Sequence, residues 1–209
     1  KPCSIDFPLA NGHFYSQTGE DTGRGFVVMD DSQAKFWTAF NHEGGIATLG
    51  FPVSNRYHFK GFLTQAFQKA ILQWDSVRGH ANFLNTLDEL GFAGQDQELL
   101  VYRQTPQHVS LIEDSGLNPA IPKDFAQIVE NHLRLLAQNP IIQERFLSED
   151  RWLELYGLPI SYIDFGPVQV FRAQRQVFQV WTVDGGGGPK NEPVLANTGD
   201  LAKEFGLLP

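Results

Sequence analysis

The chain has 209 residues, 42% hydrophobic and 12% aromatic with 17 phenylalanines, ample material for packed cores, so disorder is not expected. Its formal charge of −8 argues against a phosphate-backbone partner, which needs a basic face, so no nucleic acid is expected. The single cysteine, Cys3, excludes an intramolecular disulfide and a zinc–cysteine site, and no apolar run approaches the roughly 20 residues that span a bilayer.

Residues 1–25 are rich in Gly, Pro, Asn, Ser and Thr and read as an irregular lead-in, with Cys3 an unpaired thiol. The start at Lys1-Pro2-Cys3, without methionine, fits a mature or trimmed chain. Gly25 to Met29 reads as a short strand. Asp30-Asp31-Ser32 offers an N-cap for a helix from Gln33 to Asn41, whose Phe36, Trp37 and Phe40 fall at helical spacing and which Gly44-Gly45 ends. Gly50-Phe51-Pro52 is a tight turn, because proline fixes its own φ and pushes the preceding residue toward extended backbone. Residues 62–67 and 70–74 read as two strands or one bent strand, and Asn82 to Leu90 as a short helix stopped by Gly91.

Pro106, Gly116, Pro119 and Pro122 mark a connector over 105–122. Lys123 to Gln138 carries an apolar stripe at helical spacing, broken by Asn139-Pro140, and a short helix over 141–146 follows. Asp150 is placed to cap a turn at Trp152–Leu155. Residues 168–172 and 177–183 are β-branched, aromatic and alternating, hence strands. Gly185 to Pro189 reads as a mobile loop, Gly199 to Gly206 as a closing helix, and Leu207-Leu208 as docked.

Three blocks recur in order. Leu49-Gly50-Phe51-Pro52-Val53-Ser54 is echoed by Tyr156-Gly157-Leu158-Pro159-Ile160-Ser161. Gln68 to Gln73, followed by Trp74, is echoed by Gln174 to Gln179, followed one residue later by Trp181. Asn85-Thr86-Leu87-Asp88 is echoed by Asn197-Thr198-Gly199-Asp200. An ordered set of this kind points to an internal duplication. The Gly-Phe-Pro turn, the Phe-Gln pair and the apolar-Gln-Trp strand resemble the LGFP repeat of bacterial cell-surface proteins. Thr18-Gly19, Phe36-Trp37, Gly44-Gly45 and Gln65-Ala66-Phe67 extend the likeness to a wider class of secreted bacterial proteins. The resemblance implies an extracellular or wall-associated location and a polymer- or partner-binding role. The second copy departs from the pattern, with Tyr-Gly-Leu-Pro and no Gly-Gly ahead of it.

No catalytic constellation stands out. None of the six histidines forms His-Glu-x-x-His, and no Gly-x-Ser-x-Gly elbow is present. His42-Glu43 beside Gly44-Gly45 reads as a solvated helix end before it reads as a general base. A metal site from Asp30, Asp31 and His58 is not required by any spacing. The four-glycine run lacks the lysine of a phosphate loop. Asp75, Asp88, Asp164, Asp184 and Asp200 are available for acid–base work, but none is singled out.

The expected fold class is α+β: two related β-rich repeat units with short helices, joined by a helical linker and packed as one compact body. The expected divisions are 1–105, a helical connector over 106–150, and 151–209. The expected function is a non-catalytic extracellular module binding cell-wall or extracellular polysaccharide, with no cofactor or metal; the alternatives are a structural or protein-interaction module of the cell surface, with a surface protein as partner, and then a wall-active hydrolase with His42, Glu43 or an unassigned Asp pair as catalyst. Aromatic faces stack on sugars and amides bond hydroxyls, so the candidate ligand residues are Trp74, Trp181, Gln65, Gln68, Gln174 and Gln179.

Overall fold

The computed structural model describes residues 6–19, 25–111 and 124–209. Cys3, the segment around Gly116 and Pro119, and the expected helix start at Lys123 lie outside them. The architecture is α+β. Two compact units divide the chain: Lys1–Thr86 with Asn197–Pro209, and Leu87–Ala196. This partition differs from the linear one expected. The C-terminal helix belongs to the first unit, and the 106–150 connector belongs within the second.

The first unit opens with a three-stranded antiparallel sheet, β1 (Phe7–Leu9), β2 (Gly12–Tyr15) and β3 (Phe26–Met29). The expected irregular lead-in is therefore two paired strands. Its glycines mark close strand approach: a Cβ on Gly12 would fall 2.3 Å from the Val28 carbonyl oxygen. Helix α1 (Phe36–His42) starts later than expected, with Lys35 at the N-cap. Asp30 and Asp31 still serve it. Asp30 accepts from the Thr38 N–H, and Asp31 from the N–H groups of Gln33 and Ala34. Gly44, at φ +90°, ends that helix and leads into a short α2 (Gly45–Leu49).

A four-stranded meander follows: β4 (Tyr57–Phe59), β5 (Phe62–Ala66), β6 (Ile71–Asp75) and β7 (His80–Phe83). Lys60 and Gly61 both have positive φ in the two-residue β4–β5 turn, the geometry that matches strand twist. Asn82 pairs with Gln73 across the ladder, so the expected helix from 82 is a strand first; α3 (Thr86–Phe92) begins beyond it and runs through Gly91. Val53, Ala66, Ile71, Leu84 and Ala202 form a buried cluster, with Leu207 and Leu208 docked against it.

The second unit holds α3, α4 (Asp96–Arg103), α5 (Phe125–Leu133), a 3₁₀ turn (Arg134–Gln138), α6 (Pro140–Leu147) and α7 (Trp152–Leu155). Asn139 caps α6 by accepting from Ile141 and Ile142. Arg151, not Asp150, stands at the N-cap of α7. A second meander, β8 (Pro159–Asp164), β9 (Val168–Ala173), β10 (Val177–Trp181) and β11 (Pro193–Leu195), repeats the strand order of the first. Leu136, Ile142 and Phe146 pack with Tyr156, Phe171 and Phe178 in its core. The expected linker helices are core because their apolar stripe needs a covering sheet.

The two Gly-x-Pro turns share their hydrogen bonds. Gly50 and Gly157 have φ of +75° and +73°. The following N–H, of Phe51 or Leu158, donates 3.0 Å to the side-chain oxygen of Gln68 or Gln174. The helices after the two meanders are exchanged. The Leu87 N–H of α3 donates to the Gln174 carbonyl, whereas Gly199 and Asp200 of α8 (Thr198–Glu204) donate to the Gln68 carbonyl. Each unit is thus closed by the helix that follows the other meander in sequence.

Candidate functional site

In the first unit the motif residues turn inward on one another. The Thr18 hydroxyl donates to the Pro52 carbonyl. Ser54 Oγ accepts from the Ala66 N–H at 2.9 Å. Trp37, Phe40 and Phe67 stack successively at 5.8 and 5.1 Å, and Tyr15 meets Phe51 edge-on. This pattern holds the fold together.

The candidate glutamines fall largely into the same role. Gln65 is fully buried; its Nε2 donates to the carbonyls of Val27 and Ser54, and its Oε1 is buried with no hydrogen-bond partner among the described residues. Gln68 and Gln174 are committed to the turns, and Gln174 also donates to Asp88. Gln179 lies half-buried in β10, opposite Val170 and Val194.

The tryptophans do not occupy matching places. Leu84 N–H bonds the Ile71 carbonyl and Ala196 N–H bonds that of Val177, which aligns Ile71 with Val177. Trp74 then stands third beyond its reference and Trp181 fourth. A one-residue offset in a strand turns a side chain to the other face. Trp74 packs on Phe36 at 6.3 Å. Trp181 is covered by the four-glycine loop: Cβ atoms on Gly186 and Gly187 would fall 2.1 and 2.7 Å from its ring atoms. That glycine run exists for close approach to an indole.

The carboxylates are likewise engaged locally. Asp75 accepts from Val77 and Arg78 in the β6–β7 turn, and Asp164 from Gly166 and Gln169. His42 is exposed and bonds its neighbour Glu43 at 3.0 Å. Asp30, Asp31 and His58 form no metal cluster, and no group of three metal-ligating side chains occurs among the described residues.

A pocket of about 430 Å³ lies in the first unit. β3 and β5 give it an apolar wall of Val27, Met29 and Leu63, and Gln33, Asn55, Arg56, Tyr57 and His58 supply polar groups. Leu63 pairs directly with His58 and Trp74 in the meander. Arg56 is oriented by an ion pair, Nη2 to Asp31 Oδ2 at 2.6 Å. Its Nη1 is buried and has no hydrogen-bond partner among the described residues. Burial raises the Tyr57 phenol far above its ordinary value, so it stays a neutral donor. Residues 55–58 follow directly on the Gly-Phe-Pro-Val-Ser block. Arginine next to a repeat motif in an acidic chain is the one signal that could have found them.

The hydrogen bond from Arg56, then those from Gln33 and Ala34, hold Asp31 well below the usual carboxylate range. A depressed folded-state pKa stabilises above the unfolded value, near 3.9, and that contribution is lost as pH falls below it. In the second unit, burial outweighs His108 and Arg172 and raises Asp88. Asp88 therefore opposes folding once pH rises through its folded value. Thermal melts from pH 2 to 7 are expected to show acid loss that Asp31→Asn reduces, the remainder coming from the other depressed carboxylates, Asp6, Asp75 and Asp164. Asp88→Asn is expected to hold or raise stability at neutral pH. A melting temperature of Asp31→Asn that falls as steeply as wild type between pH 4 and 2 contradicts the assignment.

No helix among the described residues is long and apolar enough to cross a membrane. Comparison with protein-family models gives no match, and comparison with curated proteins gives none.

Proposed function

We propose that the chain is a non-catalytic module of the bacterial cell surface that binds a cell-wall or extracellular glycan in the pocket of the first unit. The observation that carries this reading is the pocket's make-up. Its volume of about 430 Å³ lies within the usual small-molecule range of roughly 300–1,000 Å³. An apolar wall beside amide, guanidinium, imidazole and phenol groups suits a pyranose, which offers C–H faces and hydroxyls together. Among the described residues no carboxylate lines it, and an acid–base pair for glycoside hydrolysis would need one. The LGFP-like motifs support the surface location and act here as scaffold: they set the turn from which Asn55 and Arg56 project.

A protein-interaction role is favoured by a different observation, the exposed Phe92, Val101 and Tyr102 of α3 and α4. Co-sedimentation with insoluble bacterial wall material, with soluble glycans as competitors, separates the two. Saturable, glycan-competed binding is expected, weakened about tenfold or more in the double variant Asn55→Ala/His58→Ala, since two lost hydrogen-bonding groups remove that much. Both residues are exposed, so the variant should fold. No binding by a folded sample removes the glycan reading.

A further inference from the structure

Resting on that reading, we infer that α8 and the two leucines after it, Leu207 and Leu208, are positioning elements of the pocket: docked, they hold the segment that carries Asn55 to His58 in its binding shape. That segment is short and lies at an edge of its sheet. β4 pairs with β5 through Tyr57, His58 and Phe59 and stands first in the order β4-β5-β6-β7. Its two ends reach one apolar cluster. Val53, two residues before Asn55, is buried in the cluster with Ala66, Ile71, Leu84 and Ala202, and Phe59, next after His58, packs against it. Ala202 belongs to α8, and Leu207 and Leu208 pack against the same cluster. Val53 is also held by its N–H on the Ala66 carbonyl, so the Phe59 end depends more on the apolar cover.

The helix arrives from far along the chain. Thr198 Oγ1 donates to the Lys69 carbonyl at 2.9 Å, and the Gly199 and Asp200 N–H groups to the Gln68 carbonyl at 2.9 and 3.1 Å. At its other end Gly206, at φ +72°, turns the chain so that the Leu207 N–H donates to the Ala202 carbonyl at 2.8 Å. That cap lays Leu207 back toward the cluster. The nearer helix, α3, cannot substitute. Leu87 stands in the repeat where Gly199 stands, and at Gly199 even a Cβ would fall 1.7 Å from the Phe67 carbonyl oxygen. A ligand that needs the shaped pocket therefore favours the docked helix by the same factor by which docking favours the ligand.

Two variants of the full chain undock the helix by different means and change no pocket residue: Gly199→Ala, and the pair Leu207→Ser/Leu208→Ser. Hydrogen exchange without ligand is measured first. In both variants the amides of β4 are expected to exchange at least about fivefold faster, the lower end of ordinary coupling between sites. Those of β6 should change less, and those of β9 and β10, in the second unit, should keep wild-type rates. Titration with glycan strands released from bacterial wall by lysozyme follows. Each variant is expected to bind at least about fivefold more weakly than wild type, and saturating glycan should slow α8 exchange in wild type by a like factor. Unchanged β4 exchange in variants whose α8 amides have accelerated overturns the positioning role, whatever the glycan does. Acceleration of β6 by the same factor as β4 overturns it too, because the whole unit has then opened. Unweakened binding by the variants overturns the role and leaves the pocket reading standing. No binding by folded wild type removes the glycan reading, and the exchange result alone still decides whether α8 holds β4.

Discussion

Arg172→Met lowers stability by about 3–5 kcal/mol in chemical denaturation of the full chain, the cost of leaving a buried charge without its partner. Arg172 is fully buried in β9. Nη1 reaches Asp96 Oδ1 at 2.7 Å and the Pro106 carbonyl at 3.0 Å, and Nη2 reaches the Leu87 carbonyl at 2.7 Å. One side chain therefore pins the starts of α3 and α4 and the segment after α4 to the second meander. Asp96 completes the junction by accepting from the His108 N–H at 2.8 Å. Lysine carries the charge but not the fork, so Arg172→Lys is expected to recover only part of the loss. Adding Asp96→Leu to Arg172→Met should also recover part of it, because the stranded carboxylate is then gone. A loss below about 1 kcal/mol, within the range of ordinary surface changes, contradicts this role.

Gly199→Ala is expected to undock the C-terminal helix. An added Cβ would lie 1.7 Å from the Phe67 carbonyl oxygen and 3.1 Å from that of Gln68. Both are backbone atoms at the hydrogen-bonded start of α8, and neither can swing aside. Overpacking against such atoms costs about 3 kcal/mol or more. Hydrogen exchange of the amides in α8 should accelerate, and a protease should remove the segment from Asn197 onward ahead of the rest. Gly206→Ala is the control, since its Cβ would meet nothing within 4 Å and costs only backbone strain at φ +72°. Unchanged exchange in Gly199→Ala contradicts the docking. Leucine at the matching position, Leu87, is buried in the second unit, so the two copies accept different side chains at this point.

The paired strands β5–β6 and β9–β10 were legible because alternation is a local property, as were the Gly50-Phe51-Pro52 turn and the break at Asn139-Pro140. The early hairpin was hidden because Gly12 and Gly25 look like loop residues until the neighbouring backbone explains them. Asn82 lies in a strand because its partner Gln73 is already in place, which propensity does not register. The exchange of closing helices is invisible in the sequence because it rests on bonds between segments far apart in the chain, Leu87 to Gln174 and Gly199 to Gln68. Arg172 had no repeat signal: aligning Gln68 with Gln174 puts it opposite Ala66, an alanine in the first copy. The candidate site moved for a related reason. Repetition marked Trp74, Trp181 and the glutamines, and repetition here records how each turn is held. The pocket residues Asn55 to His58 fall outside the repeated blocks, and Asp31, which orients Arg56, is distant from it in sequence.

The most direct measurement of the central claim is amide and side-chain NMR of the labelled chain titrated with a soluble wall glycan. The account predicts shift changes centred on Val27, Met29, Gln33, Asn55 to His58 and Leu63. Changes centred instead on Trp181 and Gln179, or none at saturating glycan, contradict it.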